Sequence, residues 1–298
     1  MWHDMYRQRG TGMKRVLVSI ALVLFFCTWA SAESSVWKAQ KGNSVIYLGG
    51  TFHILRETDY PLPPEFDKAY KASDIVVFET DIGKLQDPAA QQKLLTKAIY
   101  ADGSTIDTHL SAKTYGELSA YCEANGIPLA ALSRFKPSLL MVTLTLMEFM
   151  KLGVTQQGVD MFFHELANRD KKVVEGLETV DEQLDYVISM ADGNEDEFVM
   201  YSLKDLKTIK QLFETLAHAW RTGDAAKLEE LMVAELKTQQ PKLYKKLITD
   251  RNRNWLPLID ASQKTPRTKF VLVGVGHLVG PDGIIEALKK KGYKVDKL

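Results

Sequence analysis

In "SVWKAQKGNSVIYLGG", residues 35–50, two stretches rich in Val, Ile, Trp and Tyr flank Lys41, Gly42 and Asn43. Strand-forming runs on either side of a glycine-containing joint predict a β-hairpin. The next segment, "PLPPEFDKAYKAS", predicts a helix beginning at Pro63 and Pro64, since a first helical turn has no use for the N–H that proline lacks. "DIVVFETDI" is a short continuous apolar run, the mark of a strand buried on both faces. Val45 to Thr80 therefore predicts strand, loop, helix, strand. The same order recurs near the other end, with "KFVLVGVGH", the helix "DGIIEALKKKG" and then "YKV".

Between these units the apolar residues recur at helical spacing over 87–100, 111–125, 136–152, 158–169, 180–191 and much of 195–262. One strand, in "KKVVEGLE", interrupts them. "SLLMVTLTLMEFM" is the most apolar stretch after the leader, but it is too short to cross a bilayer and carries Glu148, which predicts a buried core helix. Neither terminal unit has enough strands to stand alone, so the two must share a sheet. The expected fold class is α/β (α+β): a central sheet built from N- and C-terminal βαβ-like units, with a large helical middle region as cap. The domain expectation is a single domain over 33–298 with a helical insertion about 87–262.

Composition changes this picture at one end. The chain has 298 residues, 45% hydrophobic and 26% charged, enough for a sizeable core. Arg7, Arg9, Lys14 and Arg15 precede the apolar run "VLVSIALVLFFC" and then "ASA", which predicts a signal peptide over 1–32, a mature start near Glu33, and export to a periplasmic or secreted location. Cys27 lacks the preceding small residues of a lipoprotein site. Removing the leader takes four of 38 basic and one of 38 acidic residues, leaving 34 against 37, a formal charge of −3. That balance gives no footing for nucleic acid. Cys122 is then the sole cysteine, which rules out an internal disulfide and suggests a buried structural thiol.

The chemistry candidates follow from strand ends. Gly50-Thr51-Phe52-His53 and Gly274-Val275-Gly276-His277 set a Gly-x-x-His pattern at the same kind of strand-to-loop junction, twice. The glycines are read as relieving bulk and freeing backbone angles at a turn. In α/β sheets, sites form where strands end. Glu79, closing the apolar run "VVF", should reach the same edge, where a carboxylate must be paired, hydrogen-bonded or metal-bound. His53, Glu79 and His277 together make a ligand set for a divalent transition metal, which acidifies bound water and polarises a carbonyl.

Other residues carry less. Glu178 in "GLET" is either a general base or a helix cap. "DRNRNW" places Arg251, Asn252 and Arg253 on a helix, where a solvated face and an inward Arg251 stabilising an oxyanion both remain open. Whether Asp160 faces the site is open too. "HELAN" has Asn168 where a zinc-protease helix needs its second histidine, so His164 is read as a helix-surface or core residue, and His109 and His218 have no partner pattern. "GVGHLVG" with Asp296 downstream imitates a dinucleotide-binding loop, but the chain has no further strands to complete the crevice.

The ordered set "GGTFH", "VVFETD", "QQGVDMFF", "VEGLET", "LITDRNRNW" and "VLVGVGHLVGPDG" resembles the TraB/GumN family, related to the Tiki metalloproteases. The resemblance implies a hydrolase site in which His53 and His277 work with Glu79. It further implies manganese- or cobalt-dependent cleavage of peptide or protein substrates, and the donor set also admits zinc. Relatives that use a histidine site without metal imply an alternative, a metal-independent esterase- or amidase-like hydrolase with a histidine base. Haem-associated relatives imply another, a non-catalytic haem- or peptide-binding protein. The carboxyl-terminal membrane anchor of animal Tiki proteins has no counterpart in this sequence, so no stable membrane anchor is expected in the mature form.

Overall fold

The hairpin forms as the pattern predicts. Val36–Lys41 (β1) and Ser44–Thr51 (β2) pair antiparallel, and Gly42, at φ 57°, takes the left-handed angle in the joint that glycine adopts without strain. In this computed structural model, residues 34–155, 157–261 and 267–298 are described. The expected leader and the start at Glu33 lie outside the described residues. The remaining strands are Leu55–Arg56 (β3), Ile75–Phe78 (β4), Val154–Thr155 (β5), Val173–Gly176 (β6), Lys269–Gly274 (β7) and Lys294–Lys297 (β8).

The central sheet has six strands in the order β6-β4-β7-β2-β1-β8. Pairing is parallel from β6 through β2, while β1 runs antiparallel to both β2 and β8. The two terminal units thus share one sheet, as expected, and interlock: β7 lies between β2 and β4. Its residues Phe270, Val271, Leu272 and Val273 are almost wholly buried, the signature of a central parallel strand. Alternation sends Phe270 and Val271 to opposite faces. Phe270 meets Phe66 at 6.4 Å and Phe163 at 5.5 Å between ring centroids, from the helices Pro64–Lys71 and Val159–Arg169. Val271 shares a cavity wall with Ile259 of the helix Asp250–Asp260. The result is a sheet covered on both faces.

The helical middle, expected as one cap, divides between two tasks. Helices Val159–Arg169 and Asp250–Asp260, with the end of the long helix Glu195–Thr222, bury residues in the sheet's own core. A second core, including Ile106, Leu118, Cys122, Leu140, Leu144 and Phe198, belongs to the helices away from the sheet. The apolar helix Pro137–Lys151 lies there, burying Leu140, Met141 and Leu144, with Glu148 accepting from Tyr121 Oη at 2.8 Å. Among the described residues no helix is long and apolar enough to cross a membrane. Cys122 is buried in this core, and burial pushes its thiol pKa up.

Three local devices aim the strand ends. The long helix is fastened to β2, because Trp220 Nε1 donates to the Gly50 carbonyl at 2.6 Å and Ser35 Oγ donates to the Trp220 carbonyl at 2.7 Å. β3 and β5 form a separate two-stranded sheet, which draws the chain after Thr51 alongside the segment entering helix Val159–Arg169. Two-residue strands carry no periodic signal, so this sheet could not be predicted from the pattern. A π-helical turn, Lys245–Thr249, leads into helix Asp250–Asp260 and changes the register at which that helix presents its residues.

A Cβ on Gly50 would come within 2.6 Å of Val275 Cγ2, so Gly50→Ala should destabilise the fold by about 1–3 kcal/mol through overpacking. In a double-mutant cycle with Val275→Gly, which removes both Cγ2 and the Cβ at 2.8 Å, denaturant unfolding should give less than the sum of the two single losses. Strict additivity would show that the contact is not what makes Gly50 necessary.

Candidate active site

His53 stands just past β2, and its position depends on a glycine in another element. A Cβ on Gly158 would overlap the His53 backbone, so only glycine admits this approach. The Val159 N–H then donates to the Phe52 carbonyl at 3.0 Å, and the first helical turn carries Asp160 beside the imidazole. Asp160 Oδ2 lies 3.1 Å from His53 Nδ1. A carboxylate only accepts, so Nδ1 holds the proton and the other ring nitrogen is left for the site. Partial desolvation opposes charging of His53, but Asp160 and then Glu79 outweigh it and raise the imidazole to about 9. The side chain is 57% accessible, so solvent screens these charges.

Glu79 follows β4 and is buried. Its Oε1 accepts the Gly274 N–H at 2.7 Å, and its Oε2 accepts from Arg251 Nη2 at 2.6 Å. Burial alone would favour the neutral acid. The adjacent guanidinium and the amide bond prevail and hold Glu79 down to about 2.

Arg251 is the inward residue of "DRNRNW", and Arg253 is the exposed one. Besides Glu79, the guanidinium grips Glu178 in a fork, Nε to Oε2 at 3.1 Å and Nη2 to Oε1 at 2.7 Å, and Nη1 donates to His277 Nε2 at 3.2 Å. Four of its five N–H donors are thereby engaged. Trp255 lies under it at 4.5 Å and donates Nε1 to Glu178 at 3.0 Å. Glu178 does not cap the next helix; Thr179 does, in a capping box with Glu182. Desolvation raises the Glu178 pKa against the pull of Arg251.

His277 occupies a one-turn helix, Val275–Leu278, directly after β7. Asn252 fixes its tautomer: Nδ2 donates to the His277 and Asp282 carbonyls, so Oδ1, 2.8 Å from His277 Nδ1, accepts. Nδ1 therefore bears the proton and Nε2 receives Arg251. Burial, with Arg251 and His53 adding to it, lowers His277 to about 3 and keeps it neutral.

These groups converge. A Cβ built on Gly274 would sit 3.3 Å from Glu79 Oε1, 3.6 Å from His53 Nε2 and 3.6 Å from His277 Cδ2. The register Thr51↔Gly274 and Phe78↔Leu272 brings all three strand ends to that point. The glycines of both motifs serve close approach, since neither Gly50 nor Gly274 takes a left-handed angle. In front lies a cleft of about 250 Å³ walled by Thr51, His53, Glu79, Thr80, Asp160 and Gln183, with apolar Ile82, Leu85 and Met161. Glu178, Arg251, Asn252 and His277 stand behind Glu79.

The remaining candidates lie apart. His164 meets Phe78 edge-on, His109 stacks on Tyr100 at 3.8 Å, and Asp296 is paired with Lys294 on β8. Gly158, Thr51, Thr80 and Gln183 were not singled out by pattern. "QQGVDMFF" held the signal for Gly158 and Asp160, but nothing in the sequence tells which residue its glycine must clear.

Two imidazoles and a carboxylate have the chemistry of a transition-metal site. In this arrangement the residues do not fit a resident ion. The single lone pair on His277 Nε2 already receives Arg251, whose fixed positive charge also holds Glu79. Among the described residues no group of three His, Cys, Asp or Glu side chains has metal-holding geometry.

Fold and site define an α/β protein with a histidine, carboxylate and guanidinium cluster at the carboxyl edge of a parallel sheet. The chain belongs to the TraB/PrgY/gumN family, whose model matches residues 35–297. No curated protein and no solved structure gives a significant match.

Replacing Arg251 by Met should cost roughly 3–5 kcal/mol in denaturant unfolding, because Glu79 and Glu178 are left buried without a counter-charge. A loss below about 1 kcal/mol would contradict the pairing. Acid sensitivity gives a second check. Native His277 stays neutral down to about 3 while the unfolded ring protonates near 6.5, so stability is lost as pH falls through that window. His277→Gln should flatten the decline there by up to one proton, about 1.4 kcal/mol per pH unit. Identical slopes would place the His277 pKa elsewhere.

Proposed function

We propose that the protein is a hydrolase that cleaves an amide or ester bond with His53 as general base. The supporting observation is the meeting of His53 Nε2 and Glu79 Oε1 at one point over Gly274. Both are acceptors. A water lodged between them donates one hydrogen to each and keeps a lone pair for attack on a carbonyl carbon in the cleft. His53 takes the proton as the C–O bond forms, and the imidazolium returns it to the departing nitrogen or oxygen as the acyl bond breaks. Asp160 holds the imidazole in the needed tautomer. Arg251 acts as a positioning residue for Glu79 and His277, since most of its donors are committed within the protein.

The resemblance to metal-dependent peptidases supports a second reading, in which His53, Glu79 and His277 hold a divalent ion. That reading requires Arg251 to release His277. The leader read from the sequence supports action outside the cytoplasm.

With a panel of peptides and aryl esters, wild-type cleavage should be indifferent to chelator, and His53→Ala should lose about 10²–10⁴-fold in kcat/KM. Because Asp160 raises His53, kcat/KM should climb on the alkaline side as the ring loses its proton, and Asp160→Asn should move that inflection to lower pH. Cleavage abolished by chelator and restored by manganese or cobalt would favour the second reading. Absence of turnover across the panel, with tight retention of peptide or haem, would overturn both.

A further inference from the structure

Past Glu79 and Thr80 the chain enters a short helix, Ile82–Leu85, that is held at both ends. The Lys84 N–H donates to Asp81 Oδ1 at 3.1 Å, and Gln91 Nε2 donates to the Leu85 carbonyl at 2.8 Å. Ile82 and Leu85 share one helical face, and both line the cleft. Ile82 is buried in the sheet's own core. Leu85 is half-buried yet packs into none of the described cores, which leaves its apolar surface to the cleft. Met161, the residue after Asp160, lines the cleft from the helix Val159–Arg169. Gln86 Nε2 donates to Met161 Sδ at 3.6 Å, a contact that ties the two walls together and bounds the space between them.

The bounded space sets a size. A cavity of roughly 150 Å³ accommodates a benzene ring, so a cleft of about 250 Å³ has room, beside a carbonyl and its attacking water, for about four to six carbons. The chemistry of the hydrolytic step sets a direction. The departing atom takes its proton from His53 and must stay beside that ring. The acyl remainder then runs along the other side of the cleft, past Glu79 toward Ile82, which opens the next element of the chain. Glu79 and Asp160 place carboxylates in the same walls, so an anionic group is repelled while an apolar one meets Ile82, Leu85 and Met161.

We propose that Ile82, Leu85, Gln86 and Met161 form an acyl pocket that selects an uncharged apolar group of about four to six carbons on the carbonyl side of the scissile bond. This adds a specificity to the hydrolase reading, on which it rests: whether the bond is an amide or an ester, the acyl half is short and apolar. Burial of each methylene of that group against the pocket is the source of discrimination, and the Gln86–Met161 contact is its limit.

Two series test this, p-nitrophenyl esters from acetate to decanoate and alkyl acetates of matching lengths. With the full-length protein, kcat/KM for the first series should rise roughly fourfold per methylene up to the hexanoate and fall beyond it. The adipate monoester, of similar length but ending in a carboxylate, should lose about tenfold or more. Met161→Ala should move the optimum to longer chains, and Met161→Leu should keep it near the hexanoate. Gln86→Ala should also lengthen the optimum, and because Gln86 is exposed its loss does not threaten the fold. Binding is read apart from turnover by methionine-methyl NMR of His53→Ala titrated with N-methylalkanamides of the same lengths. The Met161 signal, identified by its absence after adding Met161→Ala, should shift, with affinity rising over the same carbons. Rates indifferent to acyl length, a preference carried by the alcohol half instead, an optimum that neither Met161→Ala nor Gln86→Ala moves, or a Met161 signal that stays still would each overturn the pocket while leaving hydrolysis standing. Length-dependent binding at Met161 without turnover would remove the hydrolase reading and leave the apolar pocket. Neither turnover nor binding would overturn both.

Discussion

One buried guanidinium holds the strand edge together. Arg251 reaches from the helix Asp250–Asp260 to bind Glu79 and Glu178, and it also donates to His277. Each partner would be hard to bury alone: two carboxylates need a counter-charge, and an imidazole lone pair needs a donor. The arrangement compels His277 to stay neutral and Glu79 to stay ionised, so the two groups from different ends of the chain take fixed and opposite electrostatic roles. Asn252, the next residue on the helix, completes this by setting the His277 tautomer.

The sheet topology makes that contact geometrically available. With β7 inserted between β2 and β4, three parallel strands deliver His53, His277 and Glu79 to one edge. The front of the site needs a further device, since His53 lies in a loop. The small β3–β5 sheet and the glycine at 158 bring helix Val159–Arg169 against that loop, and Asp160 arrives in its first turn. The cluster thus has a buried, charge-locked rear and an accessible front where a single imidazole can change its protonation state.

Much of this was legible in the sequence because strands and strand ends leave short-range marks. The continuous apolar runs announced β4 and β7, and the repeated Gly-x-x-His pattern with Glu79 named three groups that the fold brings within a few ångströms of one point. The marks failed where a residue's partner is remote. Gly50 and Gly274 read as turn glycines, yet their need is set by Val275 and by the space that Glu79 and the histidines share. Glu178 left base and cap open because its fork to Arg251 spans elements that periodicity cannot relate. Asp160 stood inside a motif that does not say which residue it meets, and Thr51, Thr80 and Gln183 show no pattern that marks them for the cleft.

The central claim is that His277 and His53 are electrostatic opposites sharing one site. Long-range proton–nitrogen NMR of the imidazole rings across pH tests it most directly. The account predicts that His277 remains the neutral, Nδ1-protonated tautomer through mildly acidic pH while His53 is an imidazolium at neutrality that titrates on the alkaline side. A protonated His277 at pH 6, or a His277 ring carrying its proton on Nε2, would contradict it.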